Sequence, residues 1–113
     1  MAYINYKRKK MHFNKEAFLA KIDYNQTVYK SLTELAISEY PVLIQKLLKA
    51  FEVYDKNEII SVAHKIKGGA LSMEFEKMLE YAQEIEKNIE HKDIVAKLCR
   101  NIHDEWQKIE ELI

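Results

Sequence analysis

The sequence predicts an all-α fold: an antiparallel up-down four-helix bundle with an additional short N-terminal helix. Three observations carry this. Apolar residues recur at i, i+3, i+4 and i+7 spacing almost throughout the chain. The 113 residues contain only two glycines and one proline, which leaves little material for turns. The connections between the apolar stretches are short, and short connections force consecutive helices to pack as antiparallel neighbours.

Each element has its own warrant. Asn14, directly after Phe13, is placed to cap a first helix beginning KEAFLAKI, with Phe18, Leu19 and Ile22 on one side. A second helix starts at about Gln26. Its apolar set is Val28, Leu32, Leu35, Ala36, Tyr40, Leu43, Leu47, Ala50, Phe51 and Tyr54, and Pro41 predicts a bend near Glu39 within one element. Asp55 with Glu58 three residues later outlines a capping box that opens a third helix, whose inward residues are Ile59, Val62, Ala63, Ile66, Ala70 and Met73. The fourth helix carries Phe75, Met78, Leu79, Ala82, Ile85 and Ile89. The last carries Ile94, Val95, Leu98, Ile102, Trp106, Ile109 and Ile113.

The length suits a single compact domain, assigned to residues 13–113, behind a basic tail over residues 1–12. Lys and Arg together number 18, as do Asp and Glu, so the balanced charge does not point to nucleic acid. The run KRKK at Lys7 to Lys10 is read as a solvated tail. A lone cysteine, Cys99, excludes an intramolecular disulfide and fits a small buried hydrophobe. No apolar run approaches the roughly 20 residues of a membrane span, and the start lacks a signal-peptide pattern. A cytoplasmic monomer is expected.

Both glycines lie side by side in mid-helix, in AHKIKGGALSM from Ala63 to Met73. Glycine inside a helix costs about 1 kcal/mol relative to alanine, so the pair calls for a reason. At about 100° per residue, the inward stripe of the third helix centres almost opposite His64. Ile60, Lys67, Gly68 and Leu71 share the His64 face, whereas Gly69 turns inward, where a missing side chain lets a neighbouring helix approach. The outward face thus presents an imidazole, a cation, a bare backbone patch and two apolar residues. Such a face suits a large partner bringing a reactive atom up to His64. Histidine is a competent nucleophile near neutral pH, and Lys67 is placed to balance an anion on the ring. No carboxylate occupies a neighbouring position on this helix face, which argues against a hydrolase with His64 as general base.

AHKIKGGALSM resembles the signature of histidine-containing phosphotransfer (HPt) domains of two-component phosphorelays: His64, Lys65, Ile66, Lys67 and Gly68, preceded by Ala63. The resemblance extends from about Phe13 to the C-terminus. It implies a phosphoryl carrier without kinase activity of its own. His64 would take a phosphoryl group on its outer ring nitrogen from a receiver-domain aspartyl phosphate and pass it to another receiver. Lys67 would steady the phosphoryl group, and Ile60, Lys65, Gly68 and Leu71 would form the receiver-docking face. The implied partners are receiver domains of response regulators or hybrid histidine kinases. The resemblance implies no cofactor or metal in this chain and Mg²⁺ in the partner receiver. The rival is a docking module that binds receiver or kinase domains without transferring phosphate. One departure stands out: Glu74 occupies the position, ten residues after the histidine, where many members of that family carry glycine. A differently shaped turn is therefore expected, with Ser72 capping and Glu74 in the first turn of the next helix.

Overall fold

The computed structural model describes residues 9–113. Its helices are α1 Lys15–Lys21, α2 Gln26–Glu52, α3 Lys56–Met73, α4 Glu76–Lys87 and α5 Lys92–Leu112. Among the described residues there is no strand. α3 packs between α2 and α4, α4 packs on α5, and α5 closes back on α2. The result is a four-helix bundle with α1 as the additional short N-terminal helix. Of the basic run, Lys7 and Arg8 lie outside the described residues; Lys9 and Lys10 are exposed.

Side chains start the first three helices as their sequences suggest. Asn14 Oδ1 accepts from the Ala17 N–H at 3.2 Å, Asn25 Oδ1 from Val28 at 3.0 Å, and Asp55 Oδ1 from Glu58 at 3.1 Å. Only half of the expected capping box is present, because the Asp55 N–H donates to the Ala50 carbonyl at 3.0 Å. α2 has 27 residues and runs through Pro41 as one element. At 1.5 Å per residue that is about 40 Å, and it accounts for the long axis of the molecule, 42 Å.

The core is one continuous cluster drawn from all five helices. α3 buries every residue expected of it. α2 is rotated slightly from expectation. Its buried face is Thr33, Ala36, Tyr40, Ile44, Leu47 and Ala50, while Val28 and Leu35 stand exposed. The expected apolar set mixed two adjacent strips of that helix, and packing selected the strip containing Ile44. Towards the end of the bundle nearest α1, Tyr40 stacks on Trp106 with centroids 5.0 Å apart, and Phe75 meets both rings edge-on. Phe13 closes the cluster over Phe75 at 5.5 Å.

The α3–α4 turn corrects an expectation. Ser72 does not cap α4; its hydroxyl donates back to the Gly68 carbonyl at 3.2 Å, and Phe75 stands at the cap position without a side-chain bond. Glu74 adopts the left-handed conformation, φ 63°, and the Phe75 N–H reaches back to the Ala70 carbonyl at 2.9 Å. The reversal therefore uses the backbone state that glycine adopts most easily, built here on glutamate. Lys21 of α1 pairs with the Glu74 carboxylate, and its Nζ also donates to the Leu71 carbonyl at 3.1 Å. Asn14 donates its N–H to the Glu74 carbonyl at 2.9 Å. The turn is thus held from outside by the N-terminal segment.

Candidate functional site

His64 projects from the middle of α3 with its side chain 73% exposed. Ile60 and Leu71, one turn before it and two turns after, are 37% and 59% exposed, so the two apolar flanks face solvent. Lys67 sits on the α4 side of His64 and Lys65 on the α2 side. Lys67 lines a polar hollow with Gln83, Glu86 and Lys87, and Lys65 lines a second hollow with Ser38, Val42, Leu43 and Lys46. All six residues expected of the site therefore lie on α3, with His64 between two shallow depressions. With the ring so exposed, nothing encloses a small substrate over it.

The two glycines face different ways, for different reasons. A Cβ built on Gly69 would lie 2.6 Å from the Tyr40 hydroxyl, closer than real contacts allow. That hydroxyl donates to the Ile66 carbonyl at 2.9 Å. Burial pushes the Tyr40 phenol well above its ordinary range, with Glu39 adding to the shift, so the hydroxyl keeps its proton as a donor. Gly69 is the space in which α2 reaches the backbone of α3. A Cβ built on Gly68 meets nothing within 4 Å. The chain's own packing does not require glycine at that position.

One residue of this site was not visible in the sequence. Glu86 of α4 brings a carboxylate across to α3, with Lys67 Nζ 3.1 Å from each of its oxygens. Its Oε1 also lies 3.8 Å from His64 Nδ1, too far for a hydrogen bond but within ion-pair range. This corrects the expectation of a His64 face without a carboxylate: α3 supplies none there, and α4 does. The arrangement turns Nδ1 towards the protein and leaves Nε2 as the outer ring nitrogen. A proton on Nδ1, the atom facing the carboxylate, leaves the Nε2 lone pair free for attack. The sequence signal was the spacing of Glu86 one residue beyond Ile85, on the edge of the α4 stripe. Periodicity alone does not say which neighbouring helix that edge faces.

The other histidines are placed differently. His103 is exposed, with Nδ1 3.3 Å from Asp104. His12 Nδ1 lies 2.6 Å from Oε2 of Glu105, whose side chain is only 3% exposed. This pair ties the N-terminal segment to α5. Cys99 is buried, and burial raises its thiol to about 11, so it stays protonated and unreactive.

Compared with known proteins, the chain matches the model of the Hpt domain family over residues 31–112, a span that includes every residue of the site. Among solved structures, it is similar to the HPT domain from an Hpt sensor hybrid histidine kinase of Shewanella, with a TM-score of 0.77 and 17% sequence identity. The match covers 89% of each chain, and at that identity it speaks to the fold. No curated protein sequence matches.

Proposed function

The chain belongs to the Hpt domain family, whose members serve phosphotransfer in two-component signalling, and from that premise we propose that it is a phosphorelay carrier working through His64. In this reading Nε2 of His64 attacks the phosphorus of a receiver-domain aspartyl phosphate. The N–P bond forms as the acyl phosphate O–P bond breaks, and the electron pair leaves on the aspartate carboxylate. The reverse step delivers the group to a second receiver. Lys67 neutralises part of the phosphoryl charge. Ile60, Lys65, Gly68 and Leu71 seat the receiver, which brings its own Mg²⁺ and acidic pocket.

The observation that carries this reading is Gly68. It lies one turn from a 73% exposed histidine, and, its own turn of helix and chain neighbours aside, no atom of the described residues stands within 4 Å of the Cβ it lacks. A bare helix patch beside an exposed nucleophile suits the close approach of a large partner. Phosphoryl transfer is mainly positioning and charge stabilisation, so a nucleophile on a rigid helix suffices.

The test is intact-mass analysis after incubation with phosphoramidate, for the native chain and a His64→Gln variant. The expected result is one acid-labile phosphoryl addition on the native chain and none on the variant. No addition under conditions that phosphorylate a control carrier would overturn the carrier and leave a docking module.

A further inference from the structure

Lys67, the cation one helical turn after His64 on the side of α4, is not idle in this structure. Both oxygens of Glu86 lie 3.1 Å from its Nζ. Lys87, the other cation lining the same hollow, has Glu84 at 3.6 Å. Both positive charges on the α4 side of the ring therefore already have a negative partner. Oε1 of Glu86 is buried and receives no hydrogen bond of good geometry, although it lies within ion-pair range of both Lys67 and His64 Nδ1.

We propose that Glu86 sets the poise of the carrier: its charge competes with the phosphoryl group for Lys67 and so favours onward delivery over storage. The proposal rests on the carrier function above. A phosphoryl group brings between one and two negative charges to the ring. If Lys67 turns to it, Glu86 loses its cation while one of its oxygens is already cut off from water. If Lys67 stays, the phosphoryl group lacks that cation and sits beside a carboxylate. Either arrangement raises the free energy of the phosphorylated form relative to the bare one. Glu86 acts through charge and through Lys67, as a positioning residue that need not touch the phosphoryl group.

The experiment is a competition. Native chain and ¹⁵N-labelled Glu86→Gln chain, in equal amounts, share one phosphoramidate and ammonium buffer. The phosphoryl group moves between ammonia nitrogen and His64 Nε2 by breaking one P–N bond and forming the other. The phosphorylated fraction of each chain is read by intact mass once their ratio is constant from both directions. Gln keeps the shape and the hydrogen bond to Lys67 but removes the charge, so a purely structural role would leave the ratio at one. The expected ratio favours the variant by about two- to fivefold, the range for a partly exposed charge pair. Glu86→Ala must move the ratio in the same direction, and both variants should keep the native melting temperature within a few degrees. A ratio of one or below, with both chains phosphorylated, overturns the proposal while leaving the carrier intact. Phosphorylation of neither chain, when a control carrier is modified, overturns the carrier itself and the proposal with it.

Discussion

Gly68 and Gly69 are neighbours that answer to different constraints, and substitution separates them. Gly69→Ala drives a methyl group into the Tyr40 hydroxyl and disturbs its bond to Ile66. The expected cost is about 2 kcal/mol in urea unfolding, the overpacking penalty less the helix propensity gained. Adding Tyr40→Phe should recover part of it, a coupling that a double-mutant cycle measures. Gly68→Ala meets open space and should stabilise the fold by up to about 1 kcal/mol. It should also slow phosphoryl uptake from a receiver while leaving uptake from phosphoramidate, a small donor, unchanged. That the two glycines diverge was legible in the sequence, because 100° per residue fixes it. That Tyr40 fills the Gly69 space, and that Glu86 reaches Lys67, was not. Those pairings join different helices, and the period of one helix carries no register for the next.

Among the elements, the N-terminal segment is where the sequence said least. It marked the cap at Asn14 and the apolar side of α1 but not the strap that precedes them. The Met11 N–H donates to Glu76 at 2.9 Å, the Lys77 N–H donates to the Met11 carbonyl at 3.1 Å, and His12 meets Glu105 at 2.6 Å. Glu105 sits on the inward stripe of α5, where a carboxylate breaks the apolar pattern and needs a partner. That partner lies at the other end of the chain, beyond the reach of any local rule. His12→Ala should cost about 2 kcal/mol, mostly by leaving Glu105 buried without its partner. Adding Glu105→Met should restore most of the loss, since an apolar side chain removes the stranded charge. Paired denaturation curves check both statements.

For the molecule as a whole, the fold class followed from periodicity and the scarcity of glycine. The rotation of α2 did not, because Leu35 and Ala36 offer two adjacent strips and only packing against α3 and α5 decides between them. The assembled core also fixes how stability responds to alkali. Tyr40, and less strongly Tyr81, titrate above their ordinary range, chiefly through burial. The unfolded chain therefore releases these protons first as pH rises past about 10. The Cys99 thiol, likewise raised by burial to about 11, adds an earlier loss. Stability should therefore begin to fall at about pH 9 and fall further above about 10, and Tyr40→Phe should lessen the later part of the fall. Unfolding free energies measured from pH 8 to 11.5 test this.

His64 stands alone on one face of one helix, between its two hollows. Under the proposed function, donor and acceptor must use that face by turns, as substrates do in a ping-pong enzyme. A donor that has given up its phosphoryl group still fits the face and occludes it until it dissociates. Throughput is then bounded by the departure of the spent partner as well as by chemistry. Excess unphosphorylated donor acts as a competitive inhibitor of delivery, so the ratio of carrier to receivers becomes a control parameter of the pathway.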